Sequence, residues 1–398
     1  MAGIIGLRGS GEFNTDFRPT NYRELFTLLE PNGSAPLNAL LAMSQSEATD
    51  DPKFSNFRDE LPSRTMQINM GSGAAANVTA LTVDAGGDLN FVVPGTIIVV
   101  ERTGEVMRAS ANGASAGANI LTVTRNISGT SLTINDNDKL FIAGHASKEG
   151  DSVPNPISFD PSVASNFTQI FRTSYKVTGT LDNTYRRTGD AEDEFSTKAL
   201  KLHMSDIERA FFFGVKHEDT STLGSTSQPL RYTGGLVPNI SSNVLAGASQ
   251  STANQITEDD FDRFLIESVF AFGSKEKIAF VGAKVAGHLQ KFGKNRWSPT
   301  QVEGTYGVNF TRYQTMAGDL LVHLHPQFRQ VPDYENQMVI LDFPFLRYRY
   351  MQNRDTQLLM DRQSPGDDAK HHEYLSECGL EMLQEKVHSK ITDWQTTT

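Results

Sequence analysis

Apolar positions in the first fifty residues recur at helical spacing, in short bursts. Leu25, Phe26, Leu28 and Leu29 fall within Asn21 to Leu29, Pro31-Asn32-Gly33 stops that run, and Ala35 to Met43 begins another. Two short helices split by a turn bury little by themselves, so the segment predicts an arm that docks on another surface. Met66 to Met70 then alternates as a strand does, and the small residues Gly71 to Ala76 mark a boundary. From Val78 to Gly144 the chain offers Ala80 to Val83, Thr96 to Glu101, Val106 to Ala109, Ile120 to Thr124, Ser131 to Ile134 and Lys139 to Ile142, separated by Gly, Asn and Asp. Short Val-, Ile- and Thr-rich runs between such turns predict a small all-β module.

Period-two alternation returns at Asn166 to Thr180 through Phe167, Gln169, Phe171, Thr173, Tyr175 and Val177. It predicts a strand partner for Arg58 to Met70, which makes the module an insertion within one hairpin. Asp190 to His217 predicts the longest helix. Phe195, Ala199, Leu202, Ile207, Phe211 and Val215 keep mostly three- and four-residue steps, and Asp190, Glu192, Asp193 and Glu194 crowd the end where the helix dipole favours anions. Its expected length is about 40 Å, suited to a strut. Thr257 to Asp260 resembles a capping box opening a helix through Phe261, Phe264, Leu265, Val269 and Phe272 to Gly273. Strand Lys277 to Val281 and helix Ala283 to Phe292 complete an α/β unit, and strands are predicted at Tyr306 to Tyr313, Asp319 to His325, Gln337 to Asp342 and Phe345 to Tyr350. His371 to Trp394 fits a strand by Cys378, Leu380 and Met382 and a helix by Leu380, Leu383, Val387 and Ile391, so both readings stay open.

Length adds that 398 residues exceed what one core usually serves, implying two or three domains. The net charge of -11 argues against a protein that grips phosphate backbones through clustered Lys and Arg. Cys378 is the single cysteine and no charged-then-apolar leader opens the chain, so a reducing cytoplasm is expected. That context also sets aside the sequons at Asn77, Asn166 and Asn309. No apolar run approaches the roughly 18 residues of a membrane helix.

Catalytic templates find no footing. The sequence lacks a Gly-Lys-Ser/Thr phosphate loop, His-Glu-x-x-His and Cys-x-x-Cys, so no catalytic, cofactor or metal residue is assigned. His323 with His325, or His371 and His372 with Glu373, could begin a metal site, but a third ligand at identifiable spacing is missing and solvated or hydrogen-bonded histidines are expected. Asp190 to Glu194 lacks the loop pattern of a calcium site and reads as helix capping. Phe345, Arg347, Tyr348, Arg349 and Tyr350 could stack on single-stranded bases. On a strand, however, Tyr and Arg alternate between faces, which suits core packing with a charged outer face.

Taken in order, the arm, interrupted hairpin, acid-capped helix, α/β unit and β-rich return resemble the major capsid proteins of tailed bacteriophages, specifically the podophage-like branch with a β-domain insertion. The residues carrying the resemblance are Phe17 to Leu41, Glu101 to Arg125 with Gly104-Glu105-Val106-Met107-Arg108 and Leu121-Thr122-Val123-Thr124-Arg125, Lys198 to Gly214, Tyr306 to Pro326, Leu341-Asp342 and Glu377 to Ile391.

The resemblance implies an α+β tailed-phage capsid fold. Its expected parts are an N-terminal arm over 1–55, an extended loop over 56–77 and 145–187, and an inserted β-rich domain over 78–144. The spine helix of the peripheral domain and the following loop then take 188–229, the axial domain 230–341 and the return to the peripheral domain 342–398. The tail is then expected as a strand. The implied function is structural and non-enzymatic: self-assembly through pentamers and hexamers into the icosahedral head that encloses double-stranded DNA without sequence-specific binding. The implied location is the virion, assembled in the host bacterial cytoplasm. Expected partners are a portal protein, a decoration protein and a separate scaffolding protein, the last because the arm starts without the long helical segment that many relatives cleave. Candidate assembly contacts are Leu25, Phe26, Leu29, Leu37, Leu41, Phe167, Phe171, Tyr175, Arg186 and Arg187. The rivals are a phage decoration or fibre protein, which the long helix and α/β unit fit poorly, and an α/β enzyme centred on Thr257 to Phe292.

Overall fold

The computed structural model describes residues 35–41, 46–61, 64–84, 89, 91–113, 119–127, 129, 131–154, 156–158, 160–186, 189–250, 255–296, 301–302, 310–329 and 332–395. They divide into two compact units, one spanning Phe57–Val163 and the other the residues on either side.

The smaller unit is built on a six-stranded sheet. Its order is Thr65–Gln67, Lys139–His145, Thr96–Val100, Val106–Ala109, Ile120–Thr124, Ala80–Thr82. Alternation turns Ile98, Val100, Met107, Ala109, Leu121 and Val123 inward, where they join Ile68, Val83, Val92, Ile134 and Leu140 in a core without aromatic residues. Ser131 to Ile134 is not a strand. Ile134 makes one isolated bridge, to Ala74, because the segment closes over a buried ion pair. Arg125 donates from Nε to Glu105 Oε1 at 2.9 Å and from its terminal nitrogens to Glu105, Ala75 O and Leu132 O, while Glu105 also accepts from Leu132 N at 3.0 Å. Burial alone would raise the Glu105 carboxyl, but Arg125 and the Leu132 N–H hold it below the usual carboxylate range. Gly95 has φ +98°, and a Cβ there would lie 2.6 Å from the His145 ring and 2.9 Å from Ala146 O, so the turn before Thr96 requires glycine.

The larger unit holds two principal sheets. In one, Ala369–Met382 lies between Leu346–Met351 and Gln169–Thr178, with Ser46–Thr49 on the outer side of Leu346–Met351 and Gln357–Leu359 also paired to the long strand. The tail therefore takes the strand reading as far as Met382, then a turn, then strand Ser389–Thr392. The segment read as one strand from Asn166 divides at Thr168. Ser162–Phe167 pairs with Lys53–Arg58, whereas Gln169–Thr178 runs antiparallel to Ala369–Met382 over ten residue pairs. The expected pairing with Arg58 to Met70 gives way because the fourteen-residue strand offers the longer partner, and Thr65–Gln67 pairs with Lys139–His145 inside the smaller unit.

The second sheet runs Val244–Ala246, Ser389–Thr392, Met338–Leu341, Glu276–Val281, Asp319–Leu324, Phe310–Gln314, Gln301–Val302. Both faces are covered. Phe280, Val339 and Leu341 face a core shared with Phe211, Phe212 and Phe328, while Ala279, Val281 and Ile340 face a second core with Phe261, Leu265, Val285 and Trp394. Thr257 and Asp260 form the expected capping box for helix Glu258–Phe264, which passes into a π-helical turn at Leu265–Val269.

The long helix covers Ala191–Phe213, with Asp190 capping Glu192 N. It runs about 34 Å, shorter than expected because Gly214 leaves helical geometry. Ala199, His203, Ile207 and Phe211 point inward at four-residue steps, while Leu202 is 62% exposed and Val215 lies beyond the helix end. Of the arm, Pro36–Leu41 forms one short helix, and Asn21 to Leu29 lies outside the described residues.

Candidate assembly surface

Two polar seams hold the spine helix to its neighbours, and a third ties the seven-stranded sheet to the segments beside it. His203 is fully buried, with Nδ1 3.0 Å from Thr173 Oγ1 and Nε2 2.7 Å from Ser376 Oγ, so it bridges strands Gln169–Thr178 and Ala369–Met382. Burial holds the imidazole below its ordinary pKa, consistent with a neutral ring between two hydroxyls.

Further along the helix the Glu208 carboxylate, also fully buried, gathers three donors. Oε1 accepts from Leu37 N at 2.8 Å and His325 Nε2 at 2.9 Å, and Oε2 accepts from Asn38 N at 2.7 Å. His325 Nδ1 accepts from Gln327 N at 3.2 Å, which assigns the ring proton to Nε2. The unpaired amides that open the arm helix are thereby satisfied by a side chain of the spine helix. The third seam is Lys277, whose Nζ donates to Val269 O at 2.6 Å, Phe272 O at 2.9 Å and Val387 O at 2.6 Å. Burial brings its pKa down to about 8.

Strand Ala369–Met382 separates core from charge. Cys378, Leu380 and Met382 join the aromatic core, and burial pushes the Cys378 thiol up to about 12. On its other face Glu373, Glu377 and Glu381 pair with Arg172 at 2.5 Å, Arg354 at 2.6 Å and Arg349 at 2.6 Å. Arg349 also reaches Glu47 at 2.9 Å, while Tyr348 and Tyr350 pack against the core. The aromatic-basic string is thus split between two faces, as strand alternation requires.

The six described candidate contacts make their interactions inside the chain. Leu37 and Leu41 are buried against the spine helix and Leu346, leaving no surface for a neighbour. Phe167 and Phe171 are more than nine-tenths buried. Tyr175 is half-buried with its ring 5.3 Å from His372, and Arg186 pairs with Glu194 at 2.6 Å. Leu25, Phe26, Leu29 and Arg187 lie outside the described residues. The large apolar side chains left open lie elsewhere. In the smaller unit they include Phe57, Leu61, Val153 and Val163, with Leu61 91% and Val153 92% exposed; in the larger they include Tyr185, Leu202 and Leu223.

His323 faces the rings of Phe280 and Phe310, and His372 lies 3.3 Å from Glu192. Among the described residues no group of three or more His, Cys, Asp or Glu could hold a metal. Sequence reasoning passed over His203, Glu208 and Lys277. His203 was readable, since it completes the Ala199, Ile207, Phe211 series; Glu208 and Lys277 were not, because their partners lie far along the chain.

Residues 9–395 match the family model described as SU10 major capsid protein. The major capsid protein of Pseudomonas phage PaMx41 is 28% identical over 416 residues, covering 97% of this chain and 96% of that protein. Among solved structures, the holo-SrpI encapsulin complex from Synechococcus elongatus PCC 7942 has a TM-score of 0.47 at 10% identity, covering 99% of this chain and 100% of that one. The capsid of a native GTA particle has a TM-score of 0.46 at 10% identity, covering 97% and 99%.

Proposed function

Because this chain belongs to the SU10 major capsid protein family, on a match through residues 9–395, it is a structural protein of a phage head shell, and we propose that it builds that shell from pentamers and hexamers of itself. The family match carries this reading, and the buried seams around the spine helix support it by making each subunit a rigid tile. The proposed contact elements are the arm, with Leu25, Phe26 and Leu29, and the extended segments at the edges of the smaller unit, where Phe57, Leu61 and Val153 stand in solvent. A second copy covering such side chains would remove apolar surface from water. Tyr175, Arg186 and Arg187 are proposed as further contacts on the larger unit.

The shell encloses double-stranded DNA mechanically in this reading, since a subunit of charge -11 offers phosphates little to hold. A separate scaffolding protein, a portal and a decoration protein are the proposed partners, and the host bacterial cytoplasm the place of assembly. Electron microscopy of the purified chain tests the core of this. Closed shells, tubes or capsomers are expected; a chain that stays monomeric at high concentration, or one that binds duplex DNA at nanomolar concentration, overturns it.

A further inference from the structure

The larger unit carries a layer whose charges are sorted by side. Helix Glu258–Phe264 with its extension Leu265–Val269 packs on one face of the seven-stranded sheet through Phe261, Phe264, Leu265 and Val269, and helix Ala283–Arg296 packs on the same face through Val285 and Leu289. Trp394 is fully buried between them, its ring 5.2 Å from that of Phe261 and 5.9 Å from that of Phe292.

In sequence the first helix and its extension hold Glu258, Asp259, Asp260, Asp262 and Glu267 against Arg263 alone, whereas the second holds Lys284, Lys291, Lys294 and Arg296 with no acid. Some of this charge is spent locally: Asp260 serves the capping box and pairs with Arg263 at 2.9 Å. Asp259, Glu267 and Lys291 are exposed, and Lys284 remains 53% exposed beside Glu335.

Two contacts fix which flank each helix occupies. Tyr313, on strand Phe310–Gln314, donates to Asp262 at 2.8 Å. Lys284 reaches Glu335 at 3.3 Å, in the turn just before strand Met338–Leu341. Those strands stand on opposite sides of the central pair Glu276–Val281 and Asp319–Leu324. Among the described residues no ion pair joins the two helices, and Asp259 and Glu267 on one flank and Lys291 on the other stand in solvent.

We propose that the two flanks are the halves of a head-to-tail contact, the acidic flank of one copy docking on the basic flank of the next. The inference rests on the shell reading and names one interface within it. A two-fold contact through either flank would set like charges together, whereas a rotation that carries flank onto flank sets acid against base and closes into a ring. Complementary potentials select relative order and speed encounter more than they add affinity, which suits a contact that must form in one orientation only.

Charge reversal tests this in the full chain. E258K/D259K/E267K makes both flanks basic and K284E/K291E/K294E makes both acidic. Each variant is checked for native circular dichroism, and oligomers are read by analytical ultracentrifugation. Each reversal alone should cut the oligomer fraction by about tenfold or more. An equimolar mixture should recover rings with an even number of subunits, since the two variants can alternate around six positions but not five. The sixfold variant, with the two flanks' charges exchanged, should recover assembly by itself. Folded single-flank variants that assemble like wild type, or a mixture no better than its components, would overturn the proposal while leaving the shell reading intact. Duplex DNA binding by wild type that K284E/K291E/K294E abolishes would assign the basic flank to nucleic acid and also overturn it. A wild-type chain that forms no oligomer would count against the shell reading itself.

Discussion

The two compact units close by opposite strategies. In the smaller one, interactions are comparatively local: Arg125 and Glu105 are 20 residues apart and Gln67 and Asn137 are 70 apart. Its core is aliphatic, and one buried ion pair ties its loops. In the larger unit, Thr168 meets Glu377 across 209 residues, and the core is dominated by Phe171, Phe211, Phe212, Phe280 and Phe328. Loop-closure entropy grows with separation, so the larger unit gains little until distant segments arrive together, whereas the smaller one is rewarded early. The smaller unit is therefore expected to fold by itself, and the larger one only once its ends have met.

The strongest way to break this comparison is to cut the chain. Removing residues from 369 onward should abolish the native near-ultraviolet circular dichroism of the larger unit, while a Phe57–Val163 fragment should give a dispersed NMR spectrum. A fragment that stays unfolded would show that the smaller unit depends on its host. Next in size is Glu105→Ala, which strands Arg125 inside the smaller unit and should cost about 3–5 kcal/mol there. Calorimetry should show one transition lowered and the other unmoved; a common shift would mean that the units unfold as one.

Glu208→Gln should cost about 1–3 kcal/mol in the larger unit, since an amide has one acceptor oxygen where the carboxylate serves three donors. Faster hydrogen exchange at the amides of Leu37 and Asn38 is the specific readout, and unchanged protection there would refute the seam. The smallest expected effect is a pH slope. His203 is held below its ordinary 6.5 by burial, so as pH falls under that value the unfolded chain takes up a proton that the folded chain refuses. Stability of the larger unit should therefore decline with acidification, less steeply in His203→Gln, as urea midpoints between pH 5 and 7 would reveal.

What could be read from sequence follows the same division. Five of the six strand segments expected in the module are strands in the structure, because alternation and turn residues are local signals. Pairing partners were not legible: Gln169–Thr178 alternates equally well whichever strand lies beside it. The spine helix was visible but its inward face was partly misassigned. Leu202 looked like the core residue, while the adjacent His203 takes that place because Thr173 and Ser376 meet its nitrogens. Leu37 and Leu41 announced burial by their spacing, yet spacing cannot say whether the covering surface belongs to the same chain. Glu208 and His325 each look anomalous alone and become intelligible only as a pair.

The central position of strand Ala369–Met382 has a consequence for synthesis. It is hydrogen-bonded on one side to Leu346–Met351 and on the other to Gln169–Thr178, so a nascent chain halted before residue 369 has no finished sheet and no fixed spine helix. A lattice made of many identical tiles is vulnerable to a few defective ones that dock and then block growth. Here an incomplete translation product also lacks Trp394, on which both flank helices pack, so it is expected to present its contact elements out of the geometry that docking requires.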